Sequence, residues 1–162
     1  MEPLPADVVT AQRLIPAAPE SIFDLLADAS RHVDLDGSGQ LRGVTPGSPE
    51  RLSLGATFGM AMHRGVGYSM ANTVVEFEED RRIAWQSKLA GWWGQVLGGR
   101  IWRYELEPVG AGTLVRESWD ISGDHQRLFL RHHKVAEATR ANLGRTLDRI
   151  ADLVAPASAA SI

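Results

Sequence analysis

The sequence predicts an α+β domain: a curved antiparallel β-sheet wrapped around a long C-terminal α-helix, with two short helices after the first strand. Three observations predict it. Strand-like alternation recurs from Gln40 to Asp120, broken by turns short enough for antiparallel neighbours. An apolar stripe of helical spacing then runs through Leu143, Leu147, Ile150 and Val154. A helix of that length must bury one face, and a curved sheet supplies the second layer.

The elements follow in order. "VVTAQRLI" (Val8 to Ile15) reads as the first strand. "PAAPESIFDLLAD" reads as a helix, with Pro19 in the first turn, where a missing N–H costs nothing. Glu20 suits its positive end, and Ile22, Phe23, Leu25 and Leu26 give it an apolar face. A second short helix or turn covers Ser30 to Asp36 and ends at "DGSG". "QLRGV", "ATFGMAMH", "GYSMANTVVEFE" and "RRIAWQS" are strands. Pairing Phe77 with Ile83 sets Val75 opposite Trp85 and Glu78 opposite Arg82, which separates apolar from charged faces.

"RIWRYELEP" and "TLVRESWDI" form a further hairpin around "VGAG". Setting Leu106 opposite Val115 pairs Tyr104 with Glu117 and Trp102 with Trp119 on one face. It pairs Glu105 with Arg116 on the other. Glu117 therefore points inward. The last helix is predicted from about Asp124 to Val154, capped by Asp124 or Ser122, roughly 45 Å long at about 1.5 Å per residue. Its stripe extends upstream through Thr139, Ala136, His132 and Phe129. Gly144, costly inside a helix, points to a packing requirement.

Composition bounds the function. The 162 residues fit one domain over 1–154, followed by a small, polar, flexible tail over 155–162. A net charge of −3 offers no electrostatic grip on nucleic acid or an anionic membrane, so no nucleic-acid partner is expected. The absence of cysteine rules out disulfides, thiolate metal sites and cysteine nucleophiles. No apolar run reaches the ~18 residues of a membrane span, so no stable membrane insertion is expected. "MEPLPADVV" lacks a basic-then-apolar leader, and a cytoplasmic protein is the expectation.

Trp85, Trp102, Tyr104 and Trp119 share the predicted inner face, as pocket wall or as plain core. Trp92 and Trp93 lie in the uncharged, glycine-rich "LAGWWGQVLGG" and read either as a mobile aromatic lid or as packed strand residues. A buried carboxylate is expensive, so Glu117 is either a general acid/base partnered by Tyr104, or simply paired with Tyr104, Arg100 or water. His63, Tyr68 and Asn72 are candidate hydrogen-bonding groups for a ligand; a surface or structural role is the alternative for each. His132 and Thr139 face the sheet if the helical stripe holds. His125, His132 and His133 lack metal-ligand spacing, so no metal is assigned.

Four stretches carry a family resemblance: "APESIFDLLAD", "NTVVEFEEDRRIAW", "WRYELEPVGAGTLVRESWD" and the helix ending "NLGRTLDRIADLV". With their order, they resemble the START-like (SRPBCC) superfamily, the polyketide cyclase/dehydrase and lipid-transport group. The resemblance implies a helix-grip fold with a hydrophobic cavity between sheet and helix, and no universal catalytic motif. Binding of a hydrophobic small molecule (a lipid, a polyketide-like or an aromatic compound) is the leading expectation, without a cofactor. A cyclase, dehydratase or aromatase on the same cavity is the first alternative, with Glu117, Tyr104 and His63 as its catalytic candidates. A protein-interaction module with a filled core is the second. Oligomeric state is left open.

Overall fold

The computed structural model describes residues 7–155. Its elements are β1 (Val8–Ile15), α1 (Pro19–Ala27), α2 (His32–Leu35), β2 (Leu41–Val44), β3 (Thr57–Arg64), β4 (Val66–Glu78), β5 (Arg82–Leu89), β6 (Gly98–Val109), β7 (Gly112–Asp120), α3 (Arg127–Leu130) and α4 (His133–Val154). The seven strands form one antiparallel, half-barrel sheet in the order β1-β7-β6-β5-β4-β3-β2. The α+β helix-grip expectation holds. Of the tail expected over 155–162, residues 156–162 lie outside the described residues.

Strand alternation decides which side chains face α4. Between β6 and β7 the partners are Leu106 with Val115, Tyr104 with Glu117 and Trp102 with Trp119, as the sequence predicts. Between β4 and β5 one expectation fails. Val74, not Val75, lies opposite Trp85, and the register shifts between Val74 and Glu76. Val75 is the extra residue of a bulge and is exposed. The bulge lets Phe77 and Val74 both reach the core side although they are an odd number of residues apart.

The core divides along α4. Phe23 and the rest of the buried face of α1 meet Ile15, Ile83, Leu106, Val115, Leu147 and Ile150 at one end, with Phe23 edge-on to Phe77 at 5.3 Å. Val9, Trp119, Ile121 and Leu143 form a second cluster toward the other end. Trp102 touches both clusters.

The C-terminal helix is not continuous from Asp124 to Val154. It breaks between α3 and α4, where His132 takes an extended conformation and accepts the Lys134 N–H at 3.3 Å through Nδ1 as the N-cap of α4. Asp124 Oδ1 accepts the Gln126 N–H at 2.7 Å, so the predicted cap holds the turn leading into α3 instead. The expected inward placements of Phe129 and His132 are overturned: both are exposed. At this end α3 meets the sheet through Leu130, which packs against the Val9 and Trp119 cluster, and the Arg131 guanidinium is bound to Asp7.

Gly144 has open space where a side chain would sit, so packing does not require a glycine there. The close approach is at Gly37 instead. A Cβ at Gly37 would lie 2.2 Å from the Asn142 carbonyl oxygen and 2.7 Å from the Thr146 nitrogen. Thr146 Oγ1 accepts the Gly37 N–H, and Arg145 donates to its carbonyl. The turn after α2 is thus pressed against the backbone of α4.

Candidate functional site

The concave face of the sheet has a deep half and a half toward the β3–β4 and β5–β6 loops. In the deep half, Glu117 of β7 is 2% exposed. Its Oε1 accepts the Tyr104 hydroxyl at 2.7 Å, and its Oε2 has no partner among the described residues. Burial pushes the carboxyl up from 4.5 to about 8; the charge of Asp36 adds to the rise and the Tyr104 hydrogen bond opposes it. Burial, then the neighbouring Glu117, holds the Tyr104 phenol well above its usual 10. At neutral pH Glu117 is mainly a neutral acid, so its free oxygen is a place for a proton to be donated from.

His32 of α2 completes this half, and sequence reasoning missed it. Its ring stacks on Trp85 at 4.7 Å and meets Phe58 edge-on at 5.6 Å. Nε2 lies 2.8 Å from the Leu26 carbonyl oxygen. A carbonyl only accepts, so Nε2 carries the proton and Nδ1 is a bare acceptor with no partner among the described residues. Burial drives the imidazole from 6.5 down to about 4, against the Leu26 hydrogen bond and the charge of Asp28. Trp85 also lies 5.6 Å from the Tyr104 ring, so the series His32, Trp85, Tyr104, Glu117 crosses the face in contact. No periodic signal marks His32, because a four-residue helix is too short to show one.

Toward the loops the same face opens. Met60, Met62, Tyr68, Met70, Leu89 and Trp102 are all only half-buried, while Phe58, Val74 and Trp85 below them are buried. A polar belt divides the two halves. Ser87 donates to Asn72 Oδ1, Asn72 donates to the Phe58 carbonyl at 3.2 Å, and Arg100 Nε donates to the buried Asp124 at 2.9 Å. Ser87 and Arg100 were legible: each stands two residues from a predicted inward tryptophan. Arg100, a possible partner for Glu117 in the sequence, is bound to Asp124 instead.

The predicted site residues therefore separate. Trp85, Trp102, Tyr104, Glu117, Trp119 and Asn72 share the concave face. Tyr68 stands at its open end, 3.5 Å from Gln40 Oε1, and Thr139 is half-buried on α4. His63 is exposed at the end of β3 and is not brought to Glu117 and Tyr104; His32 is the histidine nearer to them. His132 is exposed and stacked on His133 at 4.5 Å. Trp92 and Trp93 occupy a 3-10 turn over Gly91–Gln95, 64% and 56% exposed and edge-on to each other at 5.0 Å. The glycines there make close approaches: a Cβ on Gly94 would lie 2.4 Å from the Leu89 carbonyl oxygen, and one on Gly99 2.7 Å from that of Gly123.

A separate open groove of about 830 Å³ runs between α1 and the β2–β3 loop. Asp24, Asp28, Thr45 and Arg51 line it, and it shares none of the concave-face residues above. Among the described residues no helix is long and apolar enough to cross a membrane.

Comparison with known proteins agrees with this fold. The chain is 32% identical over 107 residues to the uncharacterized protein Rv0088 of Mycobacterium tuberculosis. The match takes in 64% of this chain and 43% of that one, so the chain spans less than half of that relative. A protein from Arthrobacter aurescens superposes with a TM-score of 0.71 at 15% identity, over 94% of this chain and 88% of that one. Protein Ms6760 of Mycobacterium smegmatis does so with 0.67 at 14%, over 94% of each. DynU16, from the dynemicin biosynthetic locus, gives 0.65 at 16%, over 91% of this chain and 47% of that one. At such identities these structures speak for the fold. The family model described as polyketide cyclase / dehydrase and lipid transport matches residues 6–155, and the chain belongs to that family.

Proposed function

We propose that the protein binds a hydrophobic small molecule that carries at least one polar group, against the concave face between the sheet and α4. One observation carries the reading. In a face walled by aromatic and methionine side chains, two buried polar atoms have no partner among the described residues: Glu117 Oε2 and His32 Nδ1. Orphaned buried polar atoms are costly; a ligand hydroxyl donating to His32 Nδ1, or a ligand carbonyl or hydroxyl accepting from the protonated Glu117, would remove part of that cost. The half-buried Met60, Met62, Met70 and Trp102 supply adaptable apolar contact at the open end. Membership of a cyclase, dehydrase and lipid-transport family fits this ligand class, and the place of DynU16 in a biosynthetic locus is in keeping with it.

A second reading, catalysis of a cyclisation, dehydration or aromatisation on the same ligand, is favoured by the protonated Glu117 beside Tyr104. A neutral carboxylic acid in an apolar site is suited to general acid work. Tryptophan emission during titration with lipids, aromatic compounds and polyketide mimics tests both. It is best read in a Trp92→Phe/Trp93→Phe background, so that Trp85 and Trp102 report. A saturable change with one compound class is the expected result. Glu117→Gln then leaves binding nearly intact in a carrier and abolishes turnover in an enzyme. Silence across all three classes would overturn the ligand reading in favour of a filled core and a protein partner.

A further inference from the structure

Six large apolar side chains sit exposed at one end of the molecule. Trp92, Trp93, Val96 and Leu97 come from the β5–β6 loop; Leu128 and Phe129 come from α3, 79% and 75% exposed. They are far apart in sequence, yet the fold ties them together. Gln126, the residue before α3, donates from Nε2 to the Val96 carbonyl at 2.9 Å and accepts the Gly98 N–H at 2.9 Å. The His125 N–H donates to the Gly98 carbonyl at 3.0 Å. Isolated exposed apolar residues need no explanation, but a gathered set on a braced scaffold does.

The charge around this tip departs from that of the chain. The whole sequence carries −3, with 20 acidic residues against 17 basic. At this end Arg64, Lys88, Arg127 and Lys134 have no carboxylate partner among the described residues. Among the described residues the nearby carboxylates are engaged: Asp7 by Arg131, Asp120 by Arg103 and Asp124 by Arg100. Glu137, further up α4, is the exposed exception. The end is therefore apolar at its tip and cationic around it.

We propose that this end docks on the surface of an anionic lipid bilayer, with Trp92, Trp93, Leu128 and Phe129 entering the headgroup region and the surrounding lysine and arginine side chains facing lipid phosphates. Tryptophan is favoured at the water–lipid boundary because it has a broad apolar body and one N–H. Basic side chains beside it respond to the negative potential of the surface. A nucleic acid would satisfy the cations but leave the apolar tip in water. The inference does not depend on the ligand reading; a protein can dock with its concave face empty.

Vesicle co-sedimentation tests it, with phosphatidylcholine alone and with equal parts of phosphatidylcholine and phosphatidylglycerol. Binding is expected to the mixed vesicles and not to phosphatidylcholine alone, with a blue shift of the exposed tryptophan emission. It should be lost at about 1 M salt, where charges are screened beyond ~3 Å. Trp92→Ser/Trp93→Ser and, separately, Lys88→Glu/Lys134→Glu should each weaken binding about tenfold or more. All four side chains are exposed, so an unchanged thermal melt verifies the fold of each variant. No binding to mixed vesicles, or equal binding by the tryptophan variant, would overturn the proposal. So would a wild-type dimer in solution that the tryptophan variant dissociates, because the tip would then be covered by a second copy of the chain.

Discussion

At the scale of single residues, Glu117 and His32 make the protein sensitive to pH in opposite senses. The folded chain keeps a proton on Glu117 up to about pH 8, whereas an exposed carboxyl gives it up near 4.5. The folded state therefore binds more protons across that interval, and stability falls as pH rises through it. Folded His32 stays neutral down to about pH 4, whereas a free imidazole takes a proton below 6.5. There the unfolded state binds more protons, and stability rises with pH. The two effects oppose each other up to pH 6.5; above it Glu117 acts alone. Stability should drop by about 1–2 kcal/mol between pH 6.5 and 8, and Glu117→Gln should flatten that decline. Denaturant midpoints at a series of pH values measure this, and a level wild-type profile would mean that Glu117 ionises without penalty. The inward direction of Glu117 was legible, because a hairpin register that sorts apolar from charged residues leaves it no other face. His32 was not: its burial depends on where α2 lands, which is a tertiary fact with no local pattern.

At the scale of elements, glycine shows where sequence and structure part. Gly144 invites a packing explanation, yet open space surrounds it on α4; Gly37, in a loop of ordinary turn residues, is the one held against helix backbone. Gly144→Ala should stabilise by about 0.5–1 kcal/mol, through less unfolded-state entropy and better helix propensity. Gly37→Ala should destabilise by about 1–3 kcal/mol, since its Cβ meets backbone atoms that no side-chain rotation can move. Melting temperatures of the two variants should move in opposite directions; a shift of the same sign in both would contradict the contact between the α2–β2 turn and α4. The break between α3 and α4 has the same origin. Helical spacing reaches back to Phe129, but spacing records only which face a helix presents and not where the helix breaks. The bulge at Val75 likewise leaves no mark in an apolar run such as "TVVEF", where either valine suits the core.

At the scale of the whole molecule, the order of strands and the long helix could be read from the sequence because period-two and period-3.6 patterns are local and repeat. The difference between the two ends of the grip could not, because it is assembled from the β3–β4 and β5–β6 loops and α3, which are distant in sequence. That difference governs where the molecule opens. The inner stripe of α4 is buried at Leu143, Leu147 and Ile150 but only half-buried at Val135, Ala136 and Thr139. Few buried contacts mean cheap local opening. Native-state hydrogen exchange should therefore be faster over residues 127–139 than over residues 143–151 by the margin that separates local from global unfolding. A bound ligand on the concave face would be gripped by that same loose half, through Trp102 and Thr139, and should slow exchange there while leaving the sealed half unchanged. Uniform protection along α4 without ligand would show that the open end is as firmly packed as the deep one. A ligand would then have to enter by some other route than the separation of α4 from the sheet beside Trp102.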